Sequence, residues 1–155
     1  MTSFILYATL LLYSIIVSQS FSYLIFLRNV QQAMEGGEYI RFRQQTDKNF
    51  RAKFSKLTLA ALIANALLLL AACLDGKFNL SIAAFIAWTA LLADTLLALT
   101  GNQPINKKIN KWTTEKYPGN WRSYRSEWLK FFAMRQVFNI GGFCLLLAAS
   151  VFLVK

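Results

Sequence analysis

Histidine is missing altogether from the 155 residues. Its absence excludes haem held by His, non-haem iron on a His/carboxylate triad, most zinc catalysis and every Ser-His or Cys-His dyad. Cysteine is scarce: Cys73 and Cys144 lie in apolar runs at different depths, where a disulfide between them is geometrically poor. Both read as small buried hydrophobes. Acidic residues are few, 7 against 17 Lys and Arg, which leaves a net charge of +10. Such a balance raises nucleic acid as a partner. Here the bases flank apolar runs, which points instead to an anionic membrane surface and away from nucleic acid. Alternating apolar and polar positions are absent from those runs, which excludes barrel strands. No Lys or Arg precedes the first run, so it reads as a retained helix and not a cleaved leader. There is no internal repeat and no low-complexity tail.

What the chain has in abundance is apolar sequence, 56% of its residues. It falls in four runs, Phe4–Leu27, Leu57–Leu74, Leu80–Thr100 and Met134–Val154. Each is about long enough to cross a hydrocarbon core of roughly 30 Å at ~1.5 Å per residue. Bases gather in the segments 28–56 and 101–133, whereas the connection between spans two and three holds only Lys77 and the C-terminus only Lys155. The bias of Lys and Arg toward the cytoplasm then predicts both long loops inside and both termini outside, in a membrane such as the bacterial inner membrane.

Local signals fill in the rest. Asp75-Gly76-Lys77-Phe78-Asn79 predicts a tight hairpin. Gly36-Gly37 predicts the stop of an extension of helix one. Phe50, Phe54 and Leu57 recur at helical spacing, so helix two is expected to start before the membrane, with Asp47 as its cap. Asn102 suits a cap and Pro104 a first turn. Ile105, Ile109 and Trp112 then share a face opposite Lys107, Lys108 and Lys111, the pattern of a basic amphipathic helix in the headgroup layer. Pro118-Gly119 is a turn, and Trp121 and Trp128 read as interfacial anchors on the helix leading into span four. The expected fold is all-α, a four-helix transmembrane bundle with a basic amphipathic interfacial helix between helices three and four.

Polar residues inside the spans carry the chemistry, if there is any. Counted from the basic ends of their runs, Gln19, Asn65, Asp94 and Asn139 all fall roughly 7 to 12 Å deep at ~1.5 Å per residue. Arg135 enters just above that level and can reach down with its stem. An ionised Asp94 at the bilayer centre would cost at least ~2.5 to 3.5 kcal/mol unless paired or wetted. Arg135 is its partner by depth. Such a pair serves either to fix helix register or as a proton-exchanging group or anchor for a polar ligand. Gln19, Asn65 and Asn139 serve either as interhelical hydrogen-bond glue or as ligand contacts. Ser14, Ser18 and Ser22 form a stripe on helix one, and Gly141, Gly142, Ala148 and Ala149 supply small residues on helix four; these read as packing surfaces.

The segment Gly101-Asn102-Gln103-Pro104-Ile105-Asn106 after a span, and the Trp121…Trp128…Arg135 run leading into the last one, resemble the anthrone-oxygenase-like family of small four-helix membrane proteins. Its members often carry Asn-x-Pro-[Ile/Leu]-Asn after the third helix and a Trp segment ending in Arg at the fourth. Positions 102, 104, 105, 106, 128 and 135 fit; Phe132 stands where the family often has Asn or His. The resemblance implies a four-helix fold and, in some members, oxygenation of an aromatic polyketide without metal or flavin.

Three functional expectations follow. One is a membrane protein handling an apolar aromatic or quinone-like small molecule without a cofactor. In it Asp94 acts as acid or base and Arg135 stabilises a developing anion, beside Gln19, Asn65, Asn102, Asn106, Trp128 and Asn139. Its partners are lipid and that small molecule. Another is a non-catalytic subunit or assembly factor of a membrane complex, where the polar layer locks helices and the partner is another membrane protein or a second copy of the chain. A third, an antiporter using Asp94 as proton carrier, is permitted by the carboxylate and supported by nothing else.

Overall fold

The computed structural model describes residues 1–152, and every regular element among them is helical. Helix α1 (Thr2–Ser22) passes through a π turn (Tyr23–Leu27) into α2 (Arg28–Ala33). After a break at Met34, α3 (Gly36–Leu74) runs unbroken for 39 residues. Helix α4 (Phe78–Leu97) passes through a second π turn (Ala98–Asn102) into α5 (Gln103–Ile109), and α6 (Trp121–Phe152) completes the bundle. The last two residues of the expected fourth span, 153–154, and Lys155 lie outside the described residues.

Four helices are long and apolar enough to cross a membrane: Thr2–Ala33, Lys53–Leu74, Phe78–Ile109 and Trp121–Phe152. Their outer surface carries large apolar side chains, among them Phe4, Leu11, Leu59, Leu67, Phe85 and Val137. So apolar an exterior suits hydrocarbon, where a helix satisfies its own backbone hydrogen bonds. Helices α1 and α4 each pack on both α3 and α6, so the four close into a ring. Its centre is narrow because alanines line it: Ala61, Ala72, Ala84, Ala87 and Ala149 are buried around Tyr13, Leu68, Leu91 and Leu146. Between α3 and α4 the chain turns through Gly76 at φ 68°, the left-handed conformation that glycine adopts at no steric cost. Lys77 N–H donates to the Ala72 carbonyl (2.9 Å) and Gly76 N–H to that of Cys73 (3.2 Å), closing the end of α3 in a Schellman motif. Thr2 at the start of α1 donates to the Asp75 carboxylate, which ties α1 to this hairpin.

A second core caps the basic end. Tyr23, Tyr39, Ile40, Ile105, Ile109, Trp121, Trp128, Leu129 and Phe132 are buried together there. Two polar side chains close helix ends around it. Gln44 donates to the carbonyls of Ile109 (3.0 Å) and Trp112 (2.8 Å), and Arg125 to those of Gln31 (3.2 Å) and Met34 (2.8 Å).

Several local expectations are corrected. Gly36-Gly37 does not stop a helix; it opens α3, whose cap is Glu35 in a capping box with Glu38. The glycines are required by packing, since a Cβ at Gly37 would lie 2.7 Å from the Thr114 carbonyl and one at Gly36 would overlap the Tyr117 ring. Asp47 caps nothing, because α3 began eleven residues earlier and passes straight through it. Asn102 is helical (φ −69°, ψ −40°) and makes no capping bond. The helix does not break before Pro104, because the wide π turn relieves the clash of a proline ring with the preceding turn. Trp121 and Trp128 are buried in the second core, 5% and 3% exposed, and so cannot anchor in headgroups. Both cysteines are exposed on the bundle exterior, not buried; a thiol bonds weakly enough to sit on an apolar surface. Of the small-residue surfaces, Gly142 and Ala149 are buried, but Gly141 and Ala148 face outward. The helix-one serines donate back to their own helix, to the carbonyls of Leu11, Ile15 and Ser18.

Candidate functional site

Asp94 sits on the last turn of α4, 3% exposed. The α6 side chain of Arg135 meets it. Nε donates to Oδ1 at 2.6 Å and Nη2 to Oδ2 at 3.4 Å, a two-point contact that fixes the plane of the carboxylate. The third guanidinium nitrogen, Nη1, donates to the Asn102 side-chain oxygen at 3.3 Å. Asn102 in turn donates its amide to the Trp128 carbonyl at 2.9 Å. The second π turn makes this possible, because its extra residue delivers Asn102 to the α6 side. Gly101 beside it lets the backbones approach; a Cβ there would lie 2.5 Å from the Phe131 ring.

A second cluster stands nearer the basic end. Asn106 does not bond back toward its own helix entrance. Instead it bridges to α3, donating to Asp47 Oδ1 (2.8 Å) and accepting from Arg43 Nη2 (3.0 Å). Asp47 also accepts from Asn110 (2.8 Å) and pairs with Arg51 one turn on (3.1 Å). Arg43 is 4% exposed, and its guanidinium lies flat over the Trp128 ring, 3.7 Å from the centroid. Burial pulls the Arg43 guanidinium down to about 10, opposed by Tyr39 and Asp47, so it stays charged at neutral pH. Burial likewise pushes the Tyr39 phenol up to about 12.

Between these clusters lies a cavity of about 320 Å³. Phe50, Phe54, Leu62, Trp128 and Phe132 give it apolar walls, with Trp128 and Phe132 stacked at 4.6 Å. Leu59 and Leu99 line it and are also exposed on the outside of the bundle, so it reaches the apolar exterior between α3 and α4.

Of the residues expected at a site, Gln19, Asp94, Asn102, Asn106, Trp128 and Arg135 all line this cavity. Asn65 and Asn139 do not line it; they are fully buried elsewhere in the bundle. Both Asn65 amide atoms, Asn139 Oδ1 and Tyr13 Oη find no hydrogen-bond partner among the described residues. Tyr13 Oη lies against Gly142, one turn from Asn139 on α6. Sequence reasoning missed Arg43 and Asp47 as cavity residues. The available signal was the helical spacing of Arg43, Asp47, Phe50 and Phe54 on one α3 face. Among the described residues no three His, Cys, Asp or Glu side chains gather as a metal site would require. No protein-family model, curated protein or solved structure matches the chain, so its site is read from its own geometry.

Proposed function

We propose that this chain is a small integral membrane protein that takes an apolar aromatic or quinone-like molecule from the bilayer into the cavity at its basic end. The observation that carries this reading is the cavity itself. It is aromatic-walled, it reaches the apolar exterior, and a buried Asp94–Arg135 pair stands on its wall. In this reading the basic segments 28–56 and 101–133 face the cytoplasm and both termini lie outside. Helix α5 sits at headgroup level as the amphipathic interfacial element, turning Lys107 and Lys108 toward anionic lipid while Ile105 and Ile109 are held by the second core.

The chemistry follows from the pair. When Asp94 accepts a proton from a C–H or O–H beside a carbonyl or phenol, the carboxylate charge is lost and an equal charge appears on the ligand oxygen. Arg135, released from its counter-ion, then faces the new enolate or phenolate, so the net charge of the site is unchanged. Asn102 holds the guanidinium in place during the exchange. The likeness of the 101–106 segment and the Trp121–Arg135 run to the anthrone-oxygenase-like family makes oxygenation of such an enolate, with dioxygen as oxidant and no metal or flavin, the reaction we put forward. Gln19, Asn106 and Trp128 shape the same cavity. Asn65 and Asn139 lie away from this cavity and take no part in the reading.

The test is purification from the native host in mild detergent followed by native mass spectrometry. A retained aromatic small molecule, lost from Asp94→Asn protein that remains folded, supports the reading. A stoichiometric protein partner with no small molecule overturns it in favour of a non-catalytic subunit.

A further inference from the structure

Five charged side chains line the cavity: Arg43, Asp47, Arg51, Asp94 and Arg135. Their pairing is uneven. Asp94 is held by Arg135 and Asp47 by Arg51. Arg43 has no carboxylate within 4.0 Å among the described residues. The protein hydrogen bond found for its guanidinium is from Nη2 to the neutral Asn106, and its Nε is buried with no acceptor. One face of the group is covered by Trp128. A buried cation without a matched anion is costly, and such residues are kept where something else supplies the charge.

We infer that Arg43 is the seat for an acidic oxygen group, and that the cavity's ligand is an amphipathic monoanion whose carboxylate-like end meets Arg43 while its apolar body lies along Trp128, Phe132, Phe50 and Phe54. This rests on the proposed function and adds to it the ligand's charge and orientation. The wall's single excess positive charge matches one negative charge on the ligand. A guanidinium already held over a ring has lost much of its rotamer freedom, so an acidic group can meet it at little further entropic cost. The orientation also follows: the acidic end points toward the basic end of the bundle, and the apolar body points toward Leu59 and Leu99 at the outer opening.

Two probes with one aromatic body separate charge from shape: anthracene-9-carboxylate and 9-anthracenemethanol. Full-length protein in phosphatidylcholine nanodiscs is titrated with each, and binding is read by energy transfer from tryptophan, with empty nanodiscs subtracted. A hydrogen-bonded charge contact of the usual strength predicts at least about tenfold tighter binding of the carboxylate. Arg43→Gln is expected to abolish that preference, and Arg43→Lys to keep part of it. The pair Lys107→Gln and Lys108→Gln, which removes exposed charge and spares the cavity, is expected to keep the preference in full. Equal affinities in the native chain overturn the inference, as does a preference that disappears with the two surface lysines. If neither probe binds, the aromatic reading of the cavity falls first and this inference falls with it.

Discussion

The hydroxyl of Tyr13 on α1 lies against the Gly142 backbone of α6, in the space a side chain would otherwise fill. A Cβ at Gly142 would overlap that hydroxyl and lie 2.9 Å from the Ala90 Cβ on α4, so three helices meet at one missing methyl group. Overpacking of this kind costs about 1–3 kcal/mol. Gly142→Ala is therefore expected to lower the thermal midpoint in detergent. Tyr13→Phe, which removes the hydroxyl, should recover part of the loss, and a double-mutant cycle reads the coupling. Additive effects would place the two residues out of contact.

Removing one partner of the Asp94–Arg135 pair strands a buried charge, at a cost of about 3–5 kcal/mol. Arg135→Gln should thus destabilise the chain strongly, and Asp94→Asn combined with Arg135→Gln less than Arg135→Gln alone. Thermal melts of the two variants check the ordering. Aromatic-probe binding should stay lost in the double variant even where stability returns; binding that returns with stability would reduce the pair to a structural role.

Tyr39 adds a pH dependence outside the spans. Its folded-state value, about 12, exceeds the ordinary 10, so between those pH values the folded chain holds a proton the unfolded chain has released. The stability contributed by the neutral phenol is complete below pH 10 and is lost as pH rises through about 12, at most about 2–3 kcal/mol. Melting midpoints at pH 9 and 11.5 should fall less steeply for Tyr39→Phe than for the native chain. Identical slopes would mean the phenol titrates normally.

The two exposed cysteines test the orientation. Cys73 lies next to the α3–α4 turn and Cys144 in the C-terminal half of α6. A membrane-impermeant maleimide added outside intact cells is expected to label Cys73 and to spare Cys144, which faces hydrocarbon. Labelling of Cys73 only after the membrane is opened would reverse the proposed sidedness.

The four helices long and apolar enough to cross a membrane were legible because hydropathy does not depend on packing. Relative depth was legible too: counting residues along rigid helices put Arg135 just above Asp94 and within reach of it, and the two side chains meet. Asn65 and Asn139 were counted to the level of Asp94 as well, yet a depth says nothing of the direction a side chain takes around its helix. Arg43 was read as one more loop base, because a charge near a span looks like a headgroup contact until the helix carrying it is seen to continue. The start of that helix is packed by Tyr117 and Thr114, distant in sequence, resting on Gly36 and Gly37. The π turns have no local signature, so a cap was read at Asn102 where the helix carries on.

Each π turn holds one residue more than an ordinary helical turn, and the helix on either side keeps its facing. Deleting a residue from a plain stretch of α4 would swing everything downstream about 100° around the axis. Deleting Leu99 instead would merely let the coil relax to regular geometry, with Asp94 before it and Asn106 after it still directed inward. The bulge is thus a spare link in the chain: the scaffold survives its removal, and what is forfeited is the reach of Asn102 toward Arg135.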